Sequence, residues 1–313
     1  YPAAPRQHTQ TALQQSPLWL SATRQLGGDA VMEDVGGRRV LVLRRSLPVI
    51  GDLALLSRAD LGLLPGAAAT LRRDLGVRHL VVNAETTSDA MALAAAGYHK
   101  ISAPRVVAEL TLLPSVDAMA ARLTPKWRNR LRRGQAQGLT IRRHLMPPDK
   151  RYWLFKAEAA QSLRKWCQPL PAEVIAAMAA GRPGAAQVFT AYHLGQRVAA
   201  MLFLRHGRSA TYQIGWSNNE GRRLSAGPAL MWRAMVELQA MGTEHMDLGA
   251  ADRRLAPGLA HFKRGTGADF RALGGSWLDT SWAIRKGKRA RRRAAARLAE
   301  DICPVARPLM ANP

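Results

Sequence analysis

The sequence holds two cysteines in 313 residues, Cys167 and Cys303. Two thiols so far apart build neither a disulfide framework nor a metal-binding pair, and a reducing, cytoplasmic setting is expected. Acids are scarce: 22 Asp and Glu stand against 46 Lys and Arg, a net charge of +24. Five Phe and five Tyr are too few to build a platform on which successive nucleobases stack. No run of 18 apolar residues occurs, so no membrane-spanning helix is expected. The first 16 residues are polar and Pro/Gln-rich, without the apolar core of a signal peptide. No Walker-type loop, Ser-His-Asp order or His/Cys/Asp/Glu metal triplet appears. Neither a metal nor a resident cofactor is therefore expected.

What remains is globular. Apolar residues make up 47% of the chain, too many for a disordered one whatever its charge. At about 150 residues per domain the length suggests two domains. The positive charge is concentrated. Residues 121–151 carry ten Lys or Arg and one acid, Asp149, and residues 285–297 carry eight and none. Such runs serve either as solvated arginine-rich faces or as sites for phosphate groups, and an acidic polymer or anionic surface is the partner they suggest.

Local patterns describe an α/β chain. Ala30–Val35 and Arg38–Leu43 flank Gly36-Gly37 as a hairpin, and Asp52–Ser57 is a further strand. A helix over Pro65–Leu75 stops at Gly76, Arg78–Val82 is a strand, and Ser88 caps a helix to Ala96. Val106–Leu113 is a strand. Ser115 opens a helical pattern that Pro125 breaks near Thr124. Leu139–Arg143 reads as a strand, Asp149–Trp166 as a long helix and Pro171–Ala180 as a shorter one. Gln187–Leu194 and Arg197–Leu204 form a hairpin across Gly195-Gln196, followed by a strand over Ser209–Trp216. A polar loop leads to a helix over Pro228–Met241, a strand over Glu244–Leu248, a helix near Leu255–Arg264 and a strand pair around Ala268–Leu278.

Two junctions repeat. A helix ends on glycine and a strand starts at once at Gly76 and again 166 residues on at Gly242; Gly97 and Gly267 echo each other at an offset of 170. A duplicated α/β unit accounts for both. The expected division is a polar extension over 1–16, one half over 17–114, a helical connector with a basic helix over 115–180, a second half over 181–282 and a basic tail over 283–313.

Chemistry concentrates between Tyr212 and Gly267. Arg222, Arg223, Ser225 and Gly227 precede a helix whose free backbone N–H groups suit a phosphate or pyrophosphate. A plain strand-to-helix turn with solvated arginines fits the same spacing. Tyr212, Trp216 and Asn218 precede that loop and are candidates to line an acceptor cleft.

Asn218-Asn219-Glu220-Gly221-Arg222, then Met246-Asp247-Leu248-Gly249, then Phe262-Lys263-Arg264-Gly265-Thr266-Gly267 resemble the Fem family of peptidoglycan-bridge aminoacyltransferases. The likeness is strongest over about 187–278 and also touches Leu123-Thr124-Pro125-Lys126-Trp127. It implies two GNAT-like mixed-sheet halves in tandem joined by a helical segment. It also implies transfer of an aminoacyl or acyl group to an amine, with aminoacyl-tRNA or acyl-CoA as co-substrate. Phe262 and Lys263 match the family's Phe-Lys pair, whose lysine stabilises the carbonyl oxyanion. Thr266 departs from the pattern, which often has an aromatic there. Asp247 is a candidate general base, though a turn-forming Asp suits the same place.

Under this resemblance tRNA is a partner, tracked by Lys126, Arg128, Arg130 and Arg133 and by Arg285, Lys286, Lys288, Arg289, Arg291, Arg292 and Arg293. The tail also suits peripheral contact with an anionic membrane. Two alternatives stay open. One is an acyl-CoA-dependent GNAT N-acetyltransferase. The other is a non-catalytic protein that binds nucleic acid or anionic lipid on a degenerate transferase fold. The acceptor amine is not specified by the residues.

Overall fold

Gly36 and Gly37, at φ +59° and +80°, supply the left-handed turn that a two-residue hairpin between right-twisted strands demands. The hairpin joins β1 (Asp29–Val35) to β2 (Arg38–Leu47) in the first of two sheets. In a computed structural model, residues 11–47, 51–63, 66–162, 170–252, 254 and 256–279 are described. The chain divides into two units, one of residues up to Arg105 with those from Ala272 on, the other of Val106–Arg271.

The first unit opens with α1 (Pro17–Gln25), capped by the Ser16 hydroxyl on the Trp19 N–H. Part of the expected polar extension is structural. Leu13–Gln15 form a 3-10 turn, and Gln15 bonds the Leu41 N–H and the Ser57 carbonyl with its side-chain amide. After β2 come β3 (Gly51–Ala59), α2 (Ala67–Asp74), β4 (His79–Ala84), α3 (Thr87–Ala95) and β5 (His99–Ser102). The cap of α3 is Thr86, which accepts the Asp89 N–H, rather than Ser88. Its extended backbone, two residues before Ser88, puts the hydroxyl at the N–H of the third helical residue, Asp89.

The second unit contains β6 (Val106–Thr111), α4 (Val116–Arg122), α5 (Pro125–Gln135), β7 (Thr140–Leu145), α6 (Trp153–Ser162), α7 (Ala172–Gly181), β8 (Ala186–His193), β9 (Gln196–His206), β10 (Ser209–Ser217), α8 (Asn219–Arg223), α9 (Ala226–Ala240), β11 (His245–Ala250), α10 (Pro257–Gly265) and β12 (Asp269–Ala272). The expected break at Thr124 separates α4 from α5. The expected helix from Asp149 starts at Trp153, because Asp149 instead turns the chain by accepting the Arg151 N–H.

β13 (Gly275–Leu278) returns to the first sheet, whose order is β1-β2-β3-β4-β13-β5, while the second runs β12-β6-β11-β10-β9-β8-β7. This corrects the expected boundaries at 114 and 282. β6 pairs with β11, Thr111 opposite His245, and its Ala108 and Leu110 join the second core. β13 pairs with β4 and β5, and Trp277 joins the first core. β12 and β13 are therefore not the strand pair expected over Ala268–Leu278; they lie in different sheets.

The duplication is visible in the topology. β1-β2-β3-β4 and β8-β9-β10-β11 follow the same order, each with a helix, α2 or α9, linking its parallel last pair. In each sheet the next place goes to a strand from elsewhere in the chain, β13 or β6. Among the described residues no helix is long and apolar enough to cross a membrane. The basic tail, with Arg285, Lys286, Lys288, Arg289, Arg291, Arg292 and Arg293, lies outside the described residues, as does Cys167.

Candidate active site

β10 and β11 pair at only three positions: Ser209 with His245, Ala210 with Met246, and Thr211 with Asp247. Beyond Thr211, β10 follows β9 to Ser217 without β11 beside it. Two irregularities part the strands. β10 bulges against β9 between Tyr212 and Ile214, and β11 loses register with β6 between Asp247 and Ala250, where Gly249 sits at φ +75°. A bulge bends its strand and raises the local twist, so the two strand ends diverge.

The equivalent pair in the first unit stays paired from Leu53 opposite His79 to Ala59 opposite Ala84, across a register shift between Ser57 and Ala59. Arg58 and Glu85 hold it with two buried hydrogen bonds of 2.9 and 3.0 Å. The loop after β3 is filled from within. The buried Asp89 carboxylate accepts the N–H groups of Leu61 and Leu63 at 3.2 and 3.0 Å. Among the described residues, only the second unit presents an open parallel pair.

Tyr212 packs on Phe203 with ring centroids 5.4 Å apart, and its hydroxyl lies over Gly215, where a Cβ would stand 1.7 Å from it. Burial, and then the charge of Glu158, push its phenol above the ordinary tyrosine value. Trp216 is half-buried and meets Trp153 of α6 edge-on. Asn218 is a capping residue: its Oδ1 accepts the Gly221 N–H at 2.8 Å. Its Nδ2 donates to the Arg197 carbonyl of β9, so both ends of the amide are used.

The helix expected to seat an anion is α9. Its N-cap, Ser225, lies in the left-handed region at φ +56°, and no side chain caps the first turn. Pro228 in that turn has no N–H to satisfy. A helix start of this kind presents free N–H groups and the positive end of the helix dipole. The two arginines before it are turned to other work. Arg222 donates to the Ser217 carbonyl at 2.5 Å and to Asn219 Oδ1, and Arg223 lies 3.7 Å from Glu220. Glu220 in turn meets His193 Nδ1 at 2.7 Å. Both arginines thus brace α8 rather than point at the start of α9.

α10 comes alongside. The Phe262 ring lies 3.8 Å from where a Cβ on Gly227 would stand, and it packs on Trp127 of α5 with centroids 6.1 Å apart. Lys263 is 2% exposed, and its Nζ donates to the Ala250 carbonyl at 2.7 Å. The lysine is thus fixed at the end of β11, where that strand leaves β10. Thr266 is buried and donates to the Lys263 carbonyl at 2.7 Å, closing the last turn of α10. Asp247 is also buried and accepts the Gly249 N–H at 2.7 Å, the turn-forming bond its position suited.

α5 buries Trp127, Leu131 and Gly134 and turns Lys126, Arg130, Arg132 and Arg133 outward. Arg128 is not part of that face. Its guanidinium donates to the Ala120 and Leu123 carbonyls and holds the end of α4. Gly134 is the contact with α9: a Cβ there would stand 2.6 Å from the Ser225 carbonyl oxygen. Arg133 precedes it in sequence and is exposed, about 100° round the helix from that contact.

Sequence reasoning passed over Gln161 and Gly215, which are joined by a hydrogen bond from Gln161 Nε2 to the Gly215 carbonyl.

Residues 121–264 match the family model described as Acetyltransferase (GNAT) domain. No curated protein matches the chain in sequence. Among solved structures, FemX superposes with a TM-score of 0.67 at 14% identity, over 87% of this chain and 92% of that one. The C-terminal domain of a putative lysylphosphatidylglycerol synthetase from Agrobacterium fabrum gives 0.50 at 14% identity, over 85% and 87%. A conserved protein of unknown function from Bacteroides thetaiotaomicron gives 0.53 at 10% identity, over 85% and 90%. The domain match makes residues 121–264 a GNAT acyltransferase domain. Within that class the chain has the Fem-like form, two mixed α/β sheets in tandem.

Proposed function

We propose that the chain transfers an aminoacyl group from aminoacyl-tRNA to an amine, by direct attack in the opening between β10 and β11. The observation that carries this is the opening itself, bordered by the uncapped start of α9 and, next to it, by the outward cations of α5. The donor's terminal phosphates sit at the N–H groups of α9, and its backbone runs over Lys126, Arg130 and Arg133, with Arg132 added to the expected set. Lys263, held at the Ala250 carbonyl, stabilises the carbonyl oxygen as it becomes tetrahedral and anionic. A fixed donor aimed at an oxyanion in a water-poor site contributes on the order of 3–4 kcal/mol. Phe262 and Trp127 pack the helix that carries it. Asp247 shapes the turn at Gly249 and serves as the base only if that bond opens. The acceptor is an amine on a cell-wall precursor, a protein N-terminus, a lipid headgroup or a small metabolite, and the setting is cytoplasmic.

Acyl-CoA as donor is the second reading. The uncapped start of α9 favours it, because a pyrophosphate fits that seat without any use of the α5 face. A third reading, a basic binding protein without catalysis, leaves the burial of Lys263 at the opening without a purpose.

The test supplies labelled aminoacyl-tRNA and labelled acetyl-CoA separately, with a panel of amines, to the wild type and to Lys263→Ala. Transfer is expected from aminoacyl-tRNA, with turnover about 100-fold lower in the variant while its circular dichroism is unchanged. Full turnover in Lys263→Ala refutes the role given to the lysine. Transfer from acetyl-CoA alone moves the assignment to the second reading.

A further inference from the structure

Gln213 is the one residue of β10 with no cross-strand partner on either side. Every other residue from Ser209 to Ser217 has a partner in β9, but the bulge sets Tyr212 opposite Phe203 and Ile214 opposite Leu202, and Gln213 is left over between them. On the other side β11 pairs no further than Thr211 with Asp247, so Gln213 stands two residues into the opening. The polar groups around it are spent within the protein. Thr211 Oγ1 meets His206 Nε2 at 2.9 Å, and the Gly215 carbonyl accepts from Gln161 Nε2 at 2.9 Å. The Ser217 hydroxyl donates to the Asn218 carbonyl, and Asn218 Oδ1 holds the Gly221 N–H. Gln213 differs. It is 8% exposed, and its side-chain oxygen is buried without a hydrogen bond from any described residue. An amide oxygen buried and unpaired is costly, and its retention calls for a donor from outside the chain.

We propose that Gln213 reads the α-amino group of the transferred aminoacyl group, its Oε1 accepting an N–H from that nitrogen. The assignment deepens the aminoacyl-transfer reading above and rests on it. An amide oxygen only accepts, so the ligand must bring a donor to this place. An aminoacyl group brings one on the carbon next to the reacting carbonyl, whether as ammonium or as amine, whereas an acetyl group brings a methyl there. Lys263 stands at the end of β11 and Gln213 in the unpaired stretch of β10, so the two strands that part supply one group for the carbonyl oxygen and one for the nitrogen beside it. A half-turn about the last side-chain bond, a soft and nearly two-fold torsion, exchanges the two ends of the amide and brings the oxygen to the other side. Being neutral, the amide holds the nitrogen without taking its proton. Gln213 is thus a specificity residue: it favours an aminoacyl group over the same acyl group without nitrogen.

The test compares tRNA whose 3′ end carries alanyl or propionyl through a stable amide linkage, two probes that differ only in the amino group. Calorimetry on the full chain is expected to show the alanyl probe binding the wild type about tenfold or more tighter. Gln213→Met keeps the length of the side chain and removes its oxygen. It is expected to bring the two probes within about twofold of each other by weakening the alanyl probe alone, while the melting temperature holds or rises because no buried polar atom is left unpaired. Gln213→Glu is expected to widen the preference through a charge-assisted bond, and it decides the matter if Gln213→Met melts too low to titrate. Equal binding of the two probes to the wild type, as a buried water on Gln213 would give, overturns the assignment. A preference that survives Gln213→Met, or that Gln213→Glu leaves unchanged, does the same. Those failures leave the Lys263→Ala comparison standing, whereas transfer from acetyl-CoA alone, with neither probe bound, refutes the aminoacyl reading and this assignment together.

Discussion

Removing the outward charge of α5 is the perturbation that separates the two donors. Of its five cations, Arg128 is bound to the carbonyls of Ala120 and Leu123, which leaves Lys126, Arg130, Arg132 and Arg133 on the exposed face. From 126 to 133 the helix rises about 10 Å, at about 1.5 Å per residue. Nucleic-acid phosphates advance about 3.4 Å per step along one strand, so that face matches three to four of them. Each neutralised phosphate contributes about −0.7 to −0.9 to the slope of log K against log salt. Changing the four residues to Gln should therefore reduce the slope for tRNA by about 2–4. For a change of 3, raising salt from about 50 to about 200 mM costs the wild type about 60-fold more affinity than it costs the variant. Fluorescence anisotropy with end-labelled tRNA across that range measures it. Parallel lines for wild type and variant would remove α5 from the RNA path, and with it the main reason to prefer aminoacyl-tRNA over acyl-CoA.

Gly215→Ala should lower stability by about 1–3 kcal/mol, because its Cβ would stand 1.7 Å from the Tyr212 hydroxyl and the ring must move; pairing it with Tyr212→Phe should recover part of the loss in a thermal melt. Arg58→Ala should cost about 3–5 kcal/mol by stranding Glu85 in a buried place, and Arg58→Met with Glu85→Met should cost less than either single change in urea unfolding. Tyr98, Tyr152 and Tyr212 are all held above the ordinary phenol value, chiefly by burial. The unfolded chain then loses its phenol protons first. The stability these groups confer is present below about pH 10 and falls as pH rises through their folded values. Absorbance at 295 nm should show fewer than the five tyrosines ionising before the chain unfolds.

Local signals carried most of the elements into view. Gly195 at φ +77° closes the β8–β9 hairpin where the Gly-Gln pair predicted it, and Pro125 divides α4 from α5 because it lacks the N–H a continuous helix needs. The exchange of β6 and β13 was not legible. A strand's partner is set by side chains far away in sequence, and nothing in Val106–Thr111 names β11. At the site, the sequence pointed to Lys263 but not to its burial, which comes from α10 packing by way of Phe262 on Trp127. Arg128 reads like its basic neighbours, and only the carbonyls left free at the end of α4 single it out. Gln161 was missed because it acquires a meaning only when it and Tyr212 meet at Gly215.

The two halves of the chain started from one topology, and the residues at matching places explain why one of them opens. The strand registers place Leu53 opposite His79 and Ser209 opposite His245, which sets Arg58 at the place of Ile214. The glycines 97 and 267 set Leu93 at the place of Lys263. In the first half the charge is therefore on the strand, where Arg58 locks onto Glu85 and draws β3 to β4, and the helix contributes a buried leucine. In the second half the strand carries an apolar residue next to its bulge, and the charge stands on α10 at the end of β11. Opening the first half would strip a buried ion pair at a cost of about 3–5 kcal/mol. A small anion such as a carboxylate satisfies the loop amides of the first half, where Asp89 is built in. The uncapped start of α9 leaves the same kind of donors for a group that arrives from outside. The relocated charge and the missing internal carboxylate thus go with the difference between a parallel pair that holds together and one that parts.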